Sequence, residues 1–243
     1  KIDITGTMEI TGEGIKLPQI TRKLDQIEAK LLIDNQQLAL KDIFIKLDKS
    51  DFKGNILIDK WKKNLYKDKE LFVQNIDFDL ASQRLVIDEL ISITVEEENK
   101  NYKQGLSTKE EEKDFTMPVS GKGKMVVNKL EYKDIVANNL ESNIEIIGNQ
   151  LIVNNFNFNF AQGEITGNGN LNLRNEGSRY QGEVGISKVE TNNLLSQLTN
   201  FKNHLYGDLN LNANFKGSGF KIQNLLNNIS LKGDILINQG KLV

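Results

Sequence analysis

Asp77 and Asp79 are the residues that most invite a catalytic reading, because two carboxylates in different environments can divide acid and base roles. They lie two apart among Ile76, Phe78 and Leu80, so strand spacing puts both carboxylates on one face and the apolar residues on the other. That places the pair on a solvated surface, with nothing in the spacing to separate their environments. Glu183 and Glu190 have no evident partner. The glycine clusters Gly121, Gly123 and Gly163, Gly167, Gly169 invite a phosphate-loop reading. Neither ends in Gly-Lys-Ser/Thr and neither leads into a long helix, so glycine at hairpin turns and bulges is the expected role.

His204 is the single histidine and there is no cysteine. Thiol nucleophiles, disulfides, Cys-based zinc sites and sites needing two imidazoles are therefore excluded, and no metal or cofactor is expected. His204 reads as a surface or interface residue. Asn228, Ile229 and Ser230 fit a glycosylation triplet, which an asparagine-rich chain produces often by chance. No catalytic constellation emerges, and the expectation is a protein that is not an enzyme.

The composition of the 243-residue chain, 38% hydrophobic and 26% charged, is that of a folded protein. The formal net charge is −2 and the two signs are interspersed, so the one-sided positive field that nucleic acid requires is missing. No apolar run is long enough for a transmembrane helix. The chain starts at Lys1 inside an alternating pattern and stops at Val243 inside another, which reads as two processing boundaries with any anchor lying upstream.

Period two dominates. Leu151 and Val153, then Phe156, Phe158 and Phe160, alternate with polar residues, as do Leu171 with Leu173 and Leu209 with Leu211. The pattern also repeats at a constant offset of 113 positions. Leu38, Leu40, Ile43, Ile45, Leu47, Phe52, Gly54 and Ile58 match Leu151, Val153, Phe156, Phe158, Phe160, Ile165, Gly167 and Leu171. Both copies break parity at the same place, between Leu40 and Ile43 and between Val153 and Phe156. A β-bulge is the expected device, with a tight turn as the alternative. Turns are expected near Asp34-Asn35 and Gly148-Asn149. The stretch from Ile20 to Leu31 has near-helical spacing, but the repeat argues for strand from Ile27 onward.

Two short helices are expected, at Leu194, Leu195, Leu198 and Phe201 with Thr191 or Asn192 as cap, and at Ile222, Leu225, Leu226 and Ile229. Residues 96–118 are almost wholly charged or polar and read as a mobile insertion or linker. The organisation is thus a first β-repeat region over 1–95, the insertion over 96–118 and a second β-repeat region over 119–243. The fold class is mainly β, a curved, twisted antiparallel sheet of repeated meanders, groove-like, with about 15 strands.

A sheet with one apolar face must cover it with a second sheet, with helices or with a ligand. Closure into a sandwich or barrel core is one solution, and an open apolar wall suited to acyl chains is the other.

The residues Gln150-Leu-Ile-Val-Asn-Asn-Phe156, Gly163-Glu-Ile-Thr-Gly-Asn-Gly169, Gly207-Asp-Leu-Asn-Leu-Asn212 and Gly233-Asp-Ile235 resemble the C-terminal region of the AsmA family of bacterial envelope proteins. Asp51-Phe-Lys-Gly-Asn-Ile-Leu57 and Arg84-Leu-Val-Ile-Asp-Glu-Leu90 are similar to an upstream repeat of that family. The resemblance implies a repeating β-groove on the periplasmic side of the envelope, anchored in the inner membrane through a segment outside this chain. Its implied partners are phospholipid or another acyl lipid and other envelope proteins, and its implied role is binding or guiding lipid for outer-membrane biogenesis. The residues expected to face that lipid are Leu38, Leu40, Ile43, Ile45, Leu47, Leu151, Val153, Phe156, Phe158, Phe160, Leu171 and Leu173. The competing expectation is a non-catalytic envelope scaffold with a closed β core.

Overall fold

In the computed structural model, residues 3–16, 23–62, 74–89, 119–172, 179–198, 202–219 and 228–243 are described. Strand accounts for 80% of these residues, all in one open sheet that does not close into a barrel. The strands are β1 (Gly6–Lys16), β2 (Lys23–Ile33), β3 (Gln37–Leu47), β4 (Ser50–Asp59), β5 (Gln74–Val86) and β6 (Val119–Tyr132). They continue with β7 (Ile135–Ile147), β8 (Gln150–Phe160), β9 (Gly163–Asn172), β10 (Arg179–Glu190), β11 (Leu205–Ser218) and β12 (Ser230–Leu242). Spatial order follows chain order from β1 to β12. At the usual strand spacing such a sheet extends about 50 Å from one edge strand to the other. The described strands are twelve, fewer than the 15 expected.

Every neighbouring pair is antiparallel except β5 and β6, which run parallel with Phe78 opposite Gly123. The sheet is therefore mixed, where the sequence predicts an antiparallel one. A tight turn can only reverse a strand, whereas residues 87–118 are long enough to return the chain to its starting side. Strands β1–β5 and β6–β10 consequently run through the same five-strand order twice, and helix follows each set, at 87–89 after β5 and at α1 (Thr191–Leu198) after β10. The charged stretch 96–118 lies outside the described residues. So does nearly all of the second expected helix, of which Asn228 and Ile229 alone are described.

The expected bulges are present in both copies. Pairing of β3 with β4 shifts by one residue between Leu40 and Ile43, and pairing of β8 with β9 shifts between Val153 and Phe156. The extra residue returns the apolar side chains on both sides of the break to one face. The same device recurs in β10 between Ile186 and Val189. A bulge leaves a backbone N–H without its ladder partner, and asparagine on the polar face supplies one. The N–H of Asp42 (φ 50°) donates to Asn55 Oδ1 at 3.2 Å, and that of Lys188 (φ 54°) donates to Asn210 Oδ1 at 3.2 Å. Asparagine, a poor strand former, is retained here for its carbonyl.

The strand ends nearest the helices are tied by carboxylates. Glu89 is 7% exposed, and it accepts from the hydroxyl of fully buried Ser50 at 2.6 Å. It also accepts from the N–H groups of Ser50 (3.1 Å) and Lys49 (3.2 Å). The helical turn after β5 is thereby fastened to the β3–β4 turn. Glu190 does the equivalent for α1, taking the N–H groups of Asn192 (3.0 Å) and Asn193 (2.6 Å). The cap is thus Glu190 and not Thr191 or Asn192. The Thr191 hydroxyl donates instead to Gly207 O at 2.7 Å, and Asn192 Oδ1 accepts from the N–H of Asn203 at 2.7 Å.

Replacing Glu89 strands a buried hydroxyl and weakens two backbone N–H groups, each worth about 1–3 kcal/mol when left unsatisfied. Urea unfolding of Glu89→Ala is expected to show an unfolding free energy lowered by at least about 1–3 kcal/mol, read as a lower midpoint at an unchanged slope.

Candidate functional site

The register of the sheet sorts its side chains into two faces. Leu38, Leu40, Ile43, Ile45 and Leu47 stand opposite Ile58, Ile56, Gly54, Phe52 and Ser50. From there Ile58, Ile56 and Gly54 oppose Ile76, Phe78 and Leu80, which oppose Gly121, Gly123 and Met125. The row continues through Ile146, Ile144 and Ser142 to Leu151, Val153 and Phe156, and on to Leu171, Gly169 and Gly167. It ends with Tyr180, Gly182 and Val184, then Gly217, Phe215 and Ala213, then Leu231 and Gly233. None of the residues named in this row, from β3 through β12, is charged. Eleven of the twelve residues expected to face lipid therefore share one face of one sheet, and Leu173 lies outside the described residues. The residues expected to face lipid did not include those of β4–β7 and β10; glycine interrupts the apolar alternation in β4, β6 and β10.

Those glycines are beds for aromatic rings. A side chain at Gly167 would begin 2.6 Å from the Phe156 ring, and one at Gly182 would begin 2.7 Å from the Phe215 ring. At Gly123 it would collide with the Phe78 ring and with the Phe78 carbonyl. Rings thus lie flat across the neighbouring strand and cover its backbone, and the face is smooth where glycine and ring pair. Phe156 and Phe158 stack at 6.1 Å between ring centroids. Gly123 and Gly167 serve this packing in addition to the turn-and-bulge role expected of the clusters, and Gly163 directly follows the β8–β9 turn as expected.

Burial is uneven across the face. Leu47, Leu85, Val127, Phe160, Val189 and Leu209 are 0–6% exposed, and all lie toward the strand ends that carry the helices. Leu85, Val127 and Leu140 form a cluster onto which Ile87, from the helical turn after β5, packs together with Phe156 and Phe158. Helix α1 packs against β11 and β10. Toward the opposite strand ends, Leu38, Ile58, Ile76, Ile146, Leu151 and Leu171 are all partly exposed.

The other face is polar. Asp77 and Asp79 lie on it, in a shallow recess of about 1020 Å³ with Lys41, Asn55, Lys122 and Lys124. Asp79 is exposed among the lysines, as the alternation predicts, whereas Asp77 is half-buried, with its Oδ1 out of solvent and without a hydrogen-bond partner. Glu183 receives a long contact from Asn168 Nδ2 at 3.4 Å, so it is not without a neighbour. At the helix-bearing end, Glu131 lies 2.8 Å from Arg84 and 2.7 Å from Lys129. Hydrogen bonds from Arg84 and then Lys129 hold its carboxyl down at about 2, which leaves it ionised and unsuited to donating a proton near neutrality. His204 is exposed, with Nδ1 3.3 Å from Val243 O. Among the described residues no group of three or more His, Cys, Asp or Glu is placed to hold a metal ion. No helix among them is long and apolar enough to cross a membrane.

The pairing of ring with glycine predicts that Gly123→Val costs about 1–3 kcal/mol through overpacking. The melting temperature should fall, and Phe78→Ala in the same chain should recover part of the loss by removing the ring that is struck.

No curated protein and no solved structure matches the chain. The model of the AsmA family, in contrast, matches residues 7–243, nearly its whole length and both sets of five strands. With the repeated bulged strands, the twelve-strand open sheet and this match in agreement, the chain belongs to the AsmA family.

Proposed function

We propose that this segment binds acyl lipid along the apolar face of its sheet and guides it across the strands, without catalysing a reaction. The observation that carries the reading is the face itself: an apolar row free of charge from β3 to β12 with no second sheet packed on it among the described residues. Monomers rarely leave an apolar patch of more than a few hundred Å² without an occupant. A row about 50 Å long and about 10 Å wide reaches roughly 500 Å². Acyl chains suit such a surface because the row carries no charge that would need pairing.

The competing scaffold reading rests on a closed core, and the sheet is open. One observation does favour a protein partner alongside lipid. Strand β12 is an edge with Leu231, Ile235 and Leu236 exposed at 55–67%, a surface suited to pairing with a further strand. The same proposal includes placement on the periplasmic side of the envelope, anchorage in the inner membrane and a part in outer-membrane biogenesis, for which family membership is the support.

The test uses a fluorescent short-chain phospholipid whose emission rises on leaving water. Leu151→Asn introduces an amide onto the partly exposed portion of the row, away from the Leu85, Val127 and Leu140 cluster. Phe158 is a poorer choice because it packs on that cluster, so its loss reports on folding. The wild-type chain should bind the probe saturably, and Leu151→Asn should weaken binding several-fold at an unchanged melting temperature. Equal binding by the two folded proteins would remove the apolar row from the function.

A further inference from the structure

We infer that lipid occupies only the half of the apolar face distant from the helices, with headgroups of a glycerophospholipid lying at the turns that border it and Trp61 marking their level. The inference rests on the lipid reading above and adds orientation to it. Along the helix-bearing margin the protein has already filled the face: Leu47, Val127, Phe160 and Val189 are buried by their own neighbours. Those four side chains leave nothing for a ligand to cover, and exposure resumes only inward of them, at Ile45, Phe52 and Phe158. Along the other margin Leu38, Ile58, Leu151 and Leu171 are partly exposed, so a chain laid across them would remove apolar surface from water.

The groups just beyond that open margin are of the kind that meets a headgroup. The β2–β3 turn presents Asn35, Gln36 and Gln37, and the β7–β8 turn presents Asn149 and Gln150. Amides at such turns can donate to ester and phosphate oxygens or accept from amines. Trp61, the one tryptophan of the chain, follows β4 at this margin. Its indole N–H donates to Asp34 O at 2.8 Å, which pins the ring over the β2–β3 turn, and it remains only partly buried. Lys62 Nζ stands 6.0 Å from the ring and bonds Asn35 Oδ1. An indole at the margin of an apolar face, with its N–H satisfied by the backbone and its ring partly exposed, is of the kind favoured at the boundary between hydrocarbon and water.

Trp61 also supplies the test, since emission excited selectively in tryptophan comes from this residue alone. The full chain is incubated with phosphatidylcholine vesicles carrying a nitroxide on the headgroup or, in a second sample, bromine near the acyl-chain end. Protein-bound lipid is then separated from vesicles. The inference expects retained lipid with loss of most Trp61 emission from the headgroup label and little loss from the chain-end label. Retained lipid with strong quenching by the chain-end label, or with none by either label, would overturn the orientation while leaving lipid binding intact. Absence of retained lipid would overturn the underlying reading as well. A second arm separates filled from open surface: Leu47→Ala should lower the melting temperature yet leave lipid bound per folded chain unchanged. A fall in bound lipid for that variant would also sink the inference.

Discussion

Everything in this molecule depends on keeping apolar side chains on one face of a very wide sheet. Side chains alternate strictly along a strand, so a single-residue slip carries a whole row of Leu and Ile to the opposite face. The constraint tightens with each added strand, because the register of one strand sets the face of the next. In β3 and β8 the sequence changes parity midway, and the bulge at that point absorbs the change. The cost of a bulge is an N–H without a ladder partner, and the polar face meets it with Asn55 for Asp42 of β3 and with Asn210 for Lys188 in the bulge of β10. The two faces are therefore coupled: asparagines on one side let the other side stay apolar.

A sheet made this way has an uncovered face unless something is laid on it. Helix is short among the described residues, and it closes one margin through Ile87 on the Leu85, Val127 and Leu140 cluster and through α1 on β10 and β11. Glu89 and Glu190 fix those helical segments to turns and strand ends and so hold the closed margin shut. Flat rings over glycine finish the floor without projecting from it. The outcome is a strip that is buried along one side and open along the other, which is the shape an elongated amphipathic ligand can use.

How much of this could be read from residues alone depends on the range of the interaction. The bulges were legible because the same parity break occurs twice, at Leu40 to Ile43 and at Val153 to Phe156, and chance alternation does not reproduce that break. The polar placement of Asp77 and Asp79 followed from their spacing. The strand beginning near Ile27 was recoverable only through its repeat, since Ile20, Leu24, Ile27 and Leu31 are spaced like a helix face. The parallel joint between β5 and β6 was not legible, because strand direction across a long connection leaves no mark in local pattern. Glycine as a bed for Phe78, Phe156 or Phe215 was missed for the same reason, the partner being on another strand. The carboxylate ties were equally hidden. Ser50 and Glu89 lie far apart in the chain, and Glu190 caps α1 from the last position of a strand, where sequence points first to Thr191 or Asn192. The open surface along Leu38 and Leu151 is a property of packing and has no sequence signature at all.

The account turns on whether the open apolar face carries lipid in the folded protein. Native mass spectrometry of the chain isolated from cell envelopes, followed by solvent extraction, measures that most directly. The account predicts discrete adducts at the mass of intact phospholipid that disappear on extraction and return on exposure to vesicles. A stable, monomeric chain that carries no lipid and takes up none when lipid is supplied would contradict it.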